Sequence, residues 1–358
     1  MTSIYVGTYT KGMAKDEKGI FLLDFDEVTG RLELRSAEES GPNPSFLVLS
    51  RDGSSVYTVN ELDDGTVSSL KRDGTTGQLT YLSSQSAHGA APCYIELDPS
   101  GKFVLVANYN GGTIAVFPIG ADGQMLPASD VVDHAKSVLK PRRDTPPHAH
   151  MIAPTPDGNF IMTTDLGLDA TLIYRLEGGK FSFDAAGTAL AKVGAGPRHF
   201  AFSPDGATAY VINELDSTLD VFAYSAGTLS RKQTVSTLPA DFDGQNSCAH
   251  VVVSSDGRFV YGSNRGHDSI ATWAVNAANG EVGLASFTPS GGRIPRNFAI
   301  DPTGRWLITA HQDSNNLFVF ERDGEAGALT NTGQEVAIPA PVCIVFVPQT
   351  DGPKRRDQ

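Results

Sequence analysis

A short turn motif recurs six times along the chain, and this repeat constrains the fold more than any other feature. Each copy begins with Ser, Thr or Asp and ends three residues later in glycine, at Gly53, Gly101, Gly158, Gly206, Gly257 and Gly304. Successive glycines are separated by 48, 57, 48, 51 and 47 residues. The motif favours a β-turn, because glycine accepts the positive φ that such turns require. A repeat of this length indicates an architecture built from similar supersecondary units.

Strand-like segments surround each turn. Residues 200–202 precede Gly206, residues 209–212 follow it, and a second hairpin then begins at residues 218–222. Four strands in about 50 residues are typical of a β-propeller blade. No helical periodicity is sustained, so the chain is predicted to be all-β with four antiparallel strands per blade. An open sandwich with repeated turns is the alternative.

The two ends of the chain supply a seventh blade. Residues 342–347 resemble an innermost strand without partners, and residues 4–7, 19–23 and 32–34 resemble the three strands that would complete it. Joining the termini in one blade closes the ring and removes open sheet edges. We therefore predict one seven-bladed β-propeller domain over residues 1–350, followed by a polar C-terminal tail at 351–358.

Composition excludes several functional classes. The 358 residues are 40% hydrophobic and carry a net charge of −13, which argues against nucleic-acid and anionic-membrane partners. The three cysteines, Cys93, Cys248 and Cys343, form neither a disulfide framework nor a zinc motif. No signal-peptide pattern or membrane-spanning run is visible, so a cytoplasmic location is expected. The sequence does not indicate the oligomeric state.

The repeat register predicts which side chains surround one mouth of the central channel. In each blade, the start of the first strand and the end of the second lie side by side, away from the turn. Eight residues before the turn glycines stand Ser45, Cys93, His150, Arg198, Ala249 and Arg296. The next positions are Phe46, Tyr94, Met151, His199, His250 and Asn297. Eight residues after the glycines stand Glu61, Tyr109, Leu166 (beside Asp165), Glu214, Arg265 and Gln312.

Three arginines in this set predict an anionic small-molecule ligand. Guanidinium groups match carboxylates and phosphates in a two-pronged geometry, and they would converge here in an acidic protein. Alternatively, the arginines pair with Glu61 and Glu214 and only hold blades together. The basic loop at residues 140–147 either caps the mouth or is a solvated surface loop.

Several motifs resemble those of the bacterial lactonase-type propellers, a family that includes 6-phosphogluconolactonases and the fungal carboxymuconate lactonizing enzyme. The resemblance covers essentially the whole chain. It is carried by Tyr5-Val6-Gly7-Thr8-Tyr9, Pro147-His148-Ala149-His150, Asp165-Leu166-Gly167, Gly194-Ala195-Gly196-Pro197-Arg198-His199-Phe200, Asn213-Glu214-Leu215, Ser263-Asn264-Arg265-Gly266 and Pro295-Arg296-Asn297-Phe298. It implies a seven-bladed propeller without an obligatory metal, and no cofactor is predicted. It also implies a catalytic group of His148 or His150, Arg198 and Glu214.

The expected reaction is the opening of an anionic sugar lactone, with 6-phosphogluconolactone as the first choice. A histidine, His148 or His150, oriented by Glu214, would activate water, and Arg198 would stabilise the oxyanion. Arg265 and Arg296 would hold the phosphate or carboxylate. The other residues assigned to substrate binding are His199, His250, Gln312, Glu61, Tyr109 and Tyr94.

Two other functions fit parts of the pattern. A carboxymuconate-type cycloisomerase would use the same arginines and histidines. A non-enzymatic binding scaffold would need apolar residues at the mouth, where chiefly Tyr94, Tyr109 and Phe46 are found. His148 and His150 lack a third ligand within their motif, so no metal is predicted, and Cys93 and Cys248 are expected to be packing residues.

Three positions depart from the family pattern. His250 replaces a usual acidic residue, His311 replaces a usual Asn, and Tyr94 replaces a frequent His. All three are expected at the mouth, where they would affect substrate identity rather than the fold.

Overall fold

The computed structural model describes residues 1–10, 18–137 and 139–348, which contain twenty-eight strands and one single-turn helix. In chain order these elements are β1 (Thr2–Thr8), β2 (Lys18–Phe25), β3 (Leu32–Glu39), β4 (Leu47–Leu49), β5 (Ser55–Asn60), β6 (Thr66–Arg72), β7 (Leu79–Ser86), β8 (Pro92–Leu97), β9 (Phe103–Asn108), β10 (Thr113–Pro118), β11 (Asp130–Asp133), α1 (His134–Ser137), β12 (Ala149–Pro154), β13 (Ile161–Asp165), β14 (Ala170–Glu177), β15 (Lys180–Leu190), β16 (Pro197–Phe202), β17 (Thr208–Asn213), β18 (Thr218–Ser225), β19 (Thr228–Ser236), β20 (Ser247–Val253), β21 (Phe259–Arg265), β22 (Ser269–Val275), β23 (Val282–Pro289), β24 (Pro295–Ile300), β25 (Trp306–His311), β26 (Asn316–Arg322), β27 (Leu329–Ala337) and β28 (Pro341–Phe346). Within these described ranges, no helix is long and apolar enough to cross a bilayer.

The strands form seven four-stranded antiparallel sheets, numbered here as blades 1 to 7. Blade 1 has the order β28-β1-β2-β3, and blades 2 to 7 are β4–β7, β8–β11, β12–β15, β16–β19, β20–β23 and β24–β27. The first strand of every blade contacts the first strand of the next, and the contact between β28 and β4 closes the ring. This arrangement confirms the predicted all-β seven-bladed propeller.

Blade 1 joins the two ends of the chain as predicted. Strand β28 pairs with β1 in an antiparallel register that places Ile4 opposite Phe346 and Val6 opposite Ile344. The predicted tail at 351–358 lies outside the described residues.

The repeated turns have the predicted geometry. The φ angles of the six glycines lie between 67° at Gly53 and 76° at Gly304. Each glycine N–H donates to the carbonyl oxygen of the first turn residue, as Gly206 does to Ser203 at 2.8 Å. These turns set the length of the first hairpin in each blade, so they also set which residues reach the opposite end.

Burial is greatest in the second strands of the blades and is lowest in the outermost strands. Strands β5, β17 and β25, second in their blades, are buried at every residue, whereas the outermost strand β19 is mostly exposed. Both faces of an inner strand pack against neighbouring blades, where fully buried residues such as Trp273 and Tyr210 share one apolar cluster. Full burial of a Val, Leu, Ile, Phe or Met side chain in such a cluster stabilises the fold by about 1.5–3 kcal/mol.

Candidate active site

β-Bulges at the starts of the inner strands direct side chains into the channel. In β16 the register passes from Pro197 opposite Asn213 to His199 opposite Ile212, so Arg198 has no residue opposite it. A strand normally sends successive side chains to opposite faces, whereas a bulge re-aims one of them. The equivalent bulges occur at Cys93, His150, Arg296 and Val342, and across Ala249 and His250 in β20.

Five of the bulged residues, Cys93, His150, Arg198, Arg296 and Val342, meet in a small cavity on the axis. Its lining combines Ser45, Phe46, Glu61, Cys93, His150, Arg198, His199, Arg296, Asn297 and Val342. All but Val342 belong to the positions that the repeat register predicted. Arg198 is 2% exposed and His199 is also 2% exposed, so the cluster lies below the mouth rather than on its rim.

Glu214 follows β17 and bridges two arginines. Its Oε2 lies 2.8 Å from Nε of Arg198 and 3.0 Å from Nη2 of Arg265. Burial alone would raise the pKa of Glu214, but Arg265, Arg198 and Arg296 together lower it. The carboxylate therefore contacts arginines rather than His148 or His150, which corrects the predicted orienting contact.

Arg198 is held from several sides. Its Nη1 donates to the carbonyl oxygen of Ala249 and lies 3.3 Å from Nε2 of His199. Burial, reinforced by the positive charges of Arg265 and Arg296, lowers the pKa of Arg198 to about 9, so the side chain remains a cation at neutral pH. Within the described residues, no hydrogen bond occupies its Nη2.

Arg296 and Glu61 form a looser pair on the other side of the cavity. Their closest atoms, Nη2 and Oε1, are 3.9 Å apart, and the Arg296 guanidinium lies 5.3 Å from the ring centroid of Tyr9. Oε2 of Glu61 accepts hydrogen bonds from Tyr9 Oη at 2.8 Å and from Ser45 Oγ at 2.5 Å. The Glu61 carboxylate is thus already hydrogen-bonded, and it is only a distant partner for Arg296.

Tyr9 is a site residue that the sequence reasoning did not identify. It follows the second strand of blade 1 as Glu61, Tyr109 and Glu214 follow the second strands of theirs. Blade 1 has no turn of the repeated type, because its first strand comes from the C-terminus. Applying the same count to blade 1, with β28 as its first strand and β1 as its second, would have identified Tyr9.

Three histidines form a chain beside Arg198. Nδ1 of His199 lies 2.7 Å from Nδ1 of His250, and the rings of His150 and His199 are 5.0 Å apart, edge to face. Burial and then the Arg198 charge lower the pKa of each one, to about 3 for His250. All three imidazoles are therefore neutral at pH 7.

His148 lies outside this chain and has a defined tautomer. Its Nδ1 is 2.9 Å from the carbonyl oxygen of Tyr109, and its ring stacks on the Tyr109 ring at 4.4 Å. A carbonyl oxygen only accepts, so Nδ1 carries a hydrogen, and in the neutral ring Nε2 is the nitrogen with the lone pair. Asp165 fixes the His148 backbone by accepting from its N–H at 2.8 Å. By contrast, Nδ1 of His150 is buried without a partner among the described residues.

The basic loop before His148 uses two arginines to anchor itself. Arg142 donates to the carbonyl oxygens of Asp169 and Ala191, and Nε of Arg143 lies 2.9 Å from Oδ2 of Asp169. Asp169 also accepts from the backbone N–H groups of Gly194 and Gly196, just before Arg198. These two guanidinium groups therefore hold the loop against the turn that carries Arg198, rather than adding charge to the channel.

Three other predicted residues lie in different surroundings. Tyr94 is buried, with its ring 4.2 Å from Phe46 and 5.3 Å from His199, and it packs against the histidine chain. The Gln312 backbone lies at the predicted level, and its side-chain Nε2 donates to Oδ1 of Asp313 at 3.4 Å. The expectation for His311 is wrong, because this residue is fully buried inside blade 7 with Nδ1 3.2 Å from the carbonyl oxygen of Asn316.

The alternatives of a thiol nucleophile and a metal have no geometric support here. Burial raises the pKa of Cys93, and its Sγ lies 3.3 Å from the carbonyl oxygen of His150. Over the described ranges, no three His, Cys, Asp or Glu side chains are grouped as a metal site would require.

Comparisons with known proteins agree with this architecture. A family profile described as "Lactonase, 7-bladed beta-propeller" matches residues 3–346. The chain is 37% identical to a Bacillus subtilis protein named 6-phosphogluconolactonase, over 96% of this chain and 98% of the relative. A candidate 6-phosphogluconolactonase from Bacteroides fragilis superimposes with a TM-score of 0.89 and 37% identity, covering 97% of this chain and 98% of that one. The Pseudomonas aeruginosa periplasmic gluconolactonase PpgL superimposes with a TM-score of 0.89 and 33% identity, covering 97% and 99%.

Proposed function

Because the chain belongs to the seven-bladed lactonase propeller family, we propose that it hydrolyses a sugar lactone bearing an anionic group, with 6-phosphogluconolactone as the preferred substrate. The names of the relatives support lactone hydrolysis. The observation that carries the preference for an anion is the charge of the cavity. Arg198 and Arg296 line the cavity together with Glu61. Beside it, Glu214 is shared by Arg198 and Arg265, so three guanidinium groups face two carboxylates while the neighbouring histidines are neutral.

A lactone is a cyclic ester, so its hydrolysis needs an activated water and a stabilised oxyanion. His148 is the preferred base, since its Nε2 is free to accept a proton and its Nδ1 is fixed by Tyr109. As the water oxygen bonds to the carbonyl carbon, His148 takes the proton. It returns the proton to the ring oxygen when the carbon–oxygen bond breaks. Burial and the nearby arginines make His150 a weaker base, because they lower its pKa well below the usual range.

Arg198 is the preferred group for the oxyanion. Its Nη1 is engaged with Ala249 and His199, and its Nε lies 2.8 Å from Glu214 in an ion pair that lacks hydrogen-bond geometry. Among the described residues Nη2 has no hydrogen bond, and we assign it to the ligand. A donor held in place before the reaction stabilises developing charge without reorganisation. Arg296 is the preferred phosphate contact, because its 3.9 Å separation from Glu61 leaves it the least engaged of the three arginines.

The predicted scaffold function has less support, since the cavity is lined largely by charged and polar groups rather than an apolar patch. The predicted cytoplasmic location remains a prediction, because the relatives include a periplasmic gluconolactonase.

A substrate comparison tests the proposal. Purified protein is incubated with 6-phosphogluconolactone, gluconolactone and a carboxymuconate, and ring opening or closure is followed against the spontaneous background. We expect the phosphorylated lactone to be opened with the highest kcat/KM. Failure to accelerate either lactone would overturn the proposal, and acceleration of the carboxymuconate alone would indicate the cycloisomerase instead.

A further inference from the structure

We propose that His250 is a positioning residue that holds His199 in its Nδ1-protonated tautomer, and through His199 holds the guanidinium of Arg198. The inference rests on the proposed function, because that function assigns Arg198 to the oxyanion. Its structural part, the direction of the hydrogen bonds, does not depend on the substrate.

The tautomer follows from the contacts on the two sides of the His199 ring. Nε2 of His199 lies 3.3 Å from Nη1 of Arg198, and a guanidinium has donors but no acceptor. Nε2 must therefore be the accepting nitrogen, so the single hydrogen of the neutral ring is on Nδ1. That hydrogen points at Nδ1 of His250, 2.7 Å away, which must accept it. His250 consequently carries its own hydrogen on Nε2.

His250 is itself fixed from two sides. Its backbone N–H donates to Ser263 Oγ at 3.0 Å, and its ring packs edge to face against Phe298 with centroids 5.3 Å apart. Removing the accepting nitrogen would leave a buried N–H of His199 without a partner. Such a loss is costly, so His199 would change its tautomer or move, and either change would remove the acceptor from Arg198.

The tautomer can be measured directly in the unmodified protein. The full chain, labelled with ¹⁵N in its eight histidines, is studied by long-range ¹H–¹⁵N correlation, with His199 assigned through a His199→Gln variant. We expect His199 to show a protonated Nδ1 and an unprotonated Nε2, with the reverse pattern for His250. A protonated Nε2 on His199 would overturn the inference. This outcome is independent of whether any lactone is hydrolysed.

Two substitutions test the effect on Arg198. His250→Asn keeps an accepting oxygen near the position of Nδ1, whereas His250→Leu keeps bulk without an acceptor. We expect His250→Leu to lower kcat for the phosphorylated lactone about tenfold with little change in KM, and His250→Asn to restore most of the loss. Equal kcat for the two variants would contradict the inference.

His311 provides the matched control. It is another buried histidine, but it lies inside blade 7, and the equivalent position is Asn60 in blade 2 and Asn213 in blade 5. His311→Asn should therefore leave kcat unchanged. A fall in kcat matching that of His250→Leu would show that loss of a buried imidazole alone causes the effect, and would overturn the assignment to His250.

Discussion

Nε of Arg198 and Oε2 of Glu214 lie 2.8 Å apart inside blade 5, where the two residues occupy adjacent ends of the first and second strands. Glu214 bonds Arg265 of the neighbouring blade through the same oxygen, at 3.0 Å. One carboxylate thus compensates the charges of two guanidinium groups. One of them, that of Arg198, is almost completely buried, with 2% of its side chain exposed.

Replacing this carboxylate should destabilise the protein strongly. In Glu214→Gln the two arginines would face each other in a buried site without an anion, and breaking a buried pair from one side costs about 3–5 kcal/mol. Urea unfolding of the variant and the wild type measures the difference. The control is Glu325→Gln, since Glu325 pairs with Arg258 on the surface, and this change should leave the unfolding midpoint almost unaltered. Equal effects of the two substitutions would contradict this account of the pair.

The contribution of Glu214 should also depend on pH. Its pKa in the folded protein is lowered from 4.5, so the unfolded state binds the proton more tightly. The stabilisation is therefore fully present above pH 4.5 and is lost as the pH falls through the lower folded value. We expect the stability difference between wild type and Glu214→Gln to shrink on acidification in unfolding curves. A stability difference that grows at low pH would contradict this, because it would mean that folding raises the pKa of Glu214.

The two candidate bases should behave differently on substitution. His148→Gln removes the nitrogen that accepts the proton, and we expect kcat for the phosphorylated lactone to fall about 10²–10⁴-fold. His150→Gln is the matched comparison, because His150 lies two residues away in the same motif but is buried, and burial and the nearby arginines lower its pKa well below the usual range. Its kcat should fall less, with the pH profile retained. A larger loss in His150→Gln would transfer the base role to that residue.

Arg296 should determine the preference for a phosphorylated substrate. In Arg296→Gln we expect KM for 6-phosphogluconolactone to rise about tenfold or more, because a hydrogen bond to a charged group contributes about 1.5–3 kcal/mol. Turnover of gluconolactone should change little. Arg305→Gln, at an exposed surface pair with Glu321, serves as the control. An equal rise in KM for both lactones would argue that Arg296 does not bind the phosphate.

Much of the architecture could be predicted from the sequence because turn chemistry and strand alternation are local properties. The glycines of the six turns set the hairpin lengths, and counting from them placed Arg198, His199 and Glu214 together correctly. The bulges were not predicted, although Pro92, Pro197 and Pro295 each precede a bulged residue. Proline is tolerated at strand starts and bulges, so its recurrence was an available signal.

The pairing within the site was beyond the reach of sequence reasoning. Whether Glu214 meets a histidine or an arginine depends on side-chain positions in two neighbouring blades, which no spacing encodes. His311 was misplaced for a related reason, since it lies only one residue before the channel position of Gln312. In a strand such a step moves a side chain from the channel to the interior of the blade.

The central claim is that Arg198 stabilises the oxyanion during lactone opening, and its most direct test is kcat of Arg198→Lys with 6-phosphogluconolactone. Lysine keeps the positive charge beside Glu214 but loses the fixed fork of donors. The account predicts a fall in kcat of about 10²–10³-fold in a variant that remains folded. Turnover at the wild-type rate would contradict it and remove Arg198 from the reaction.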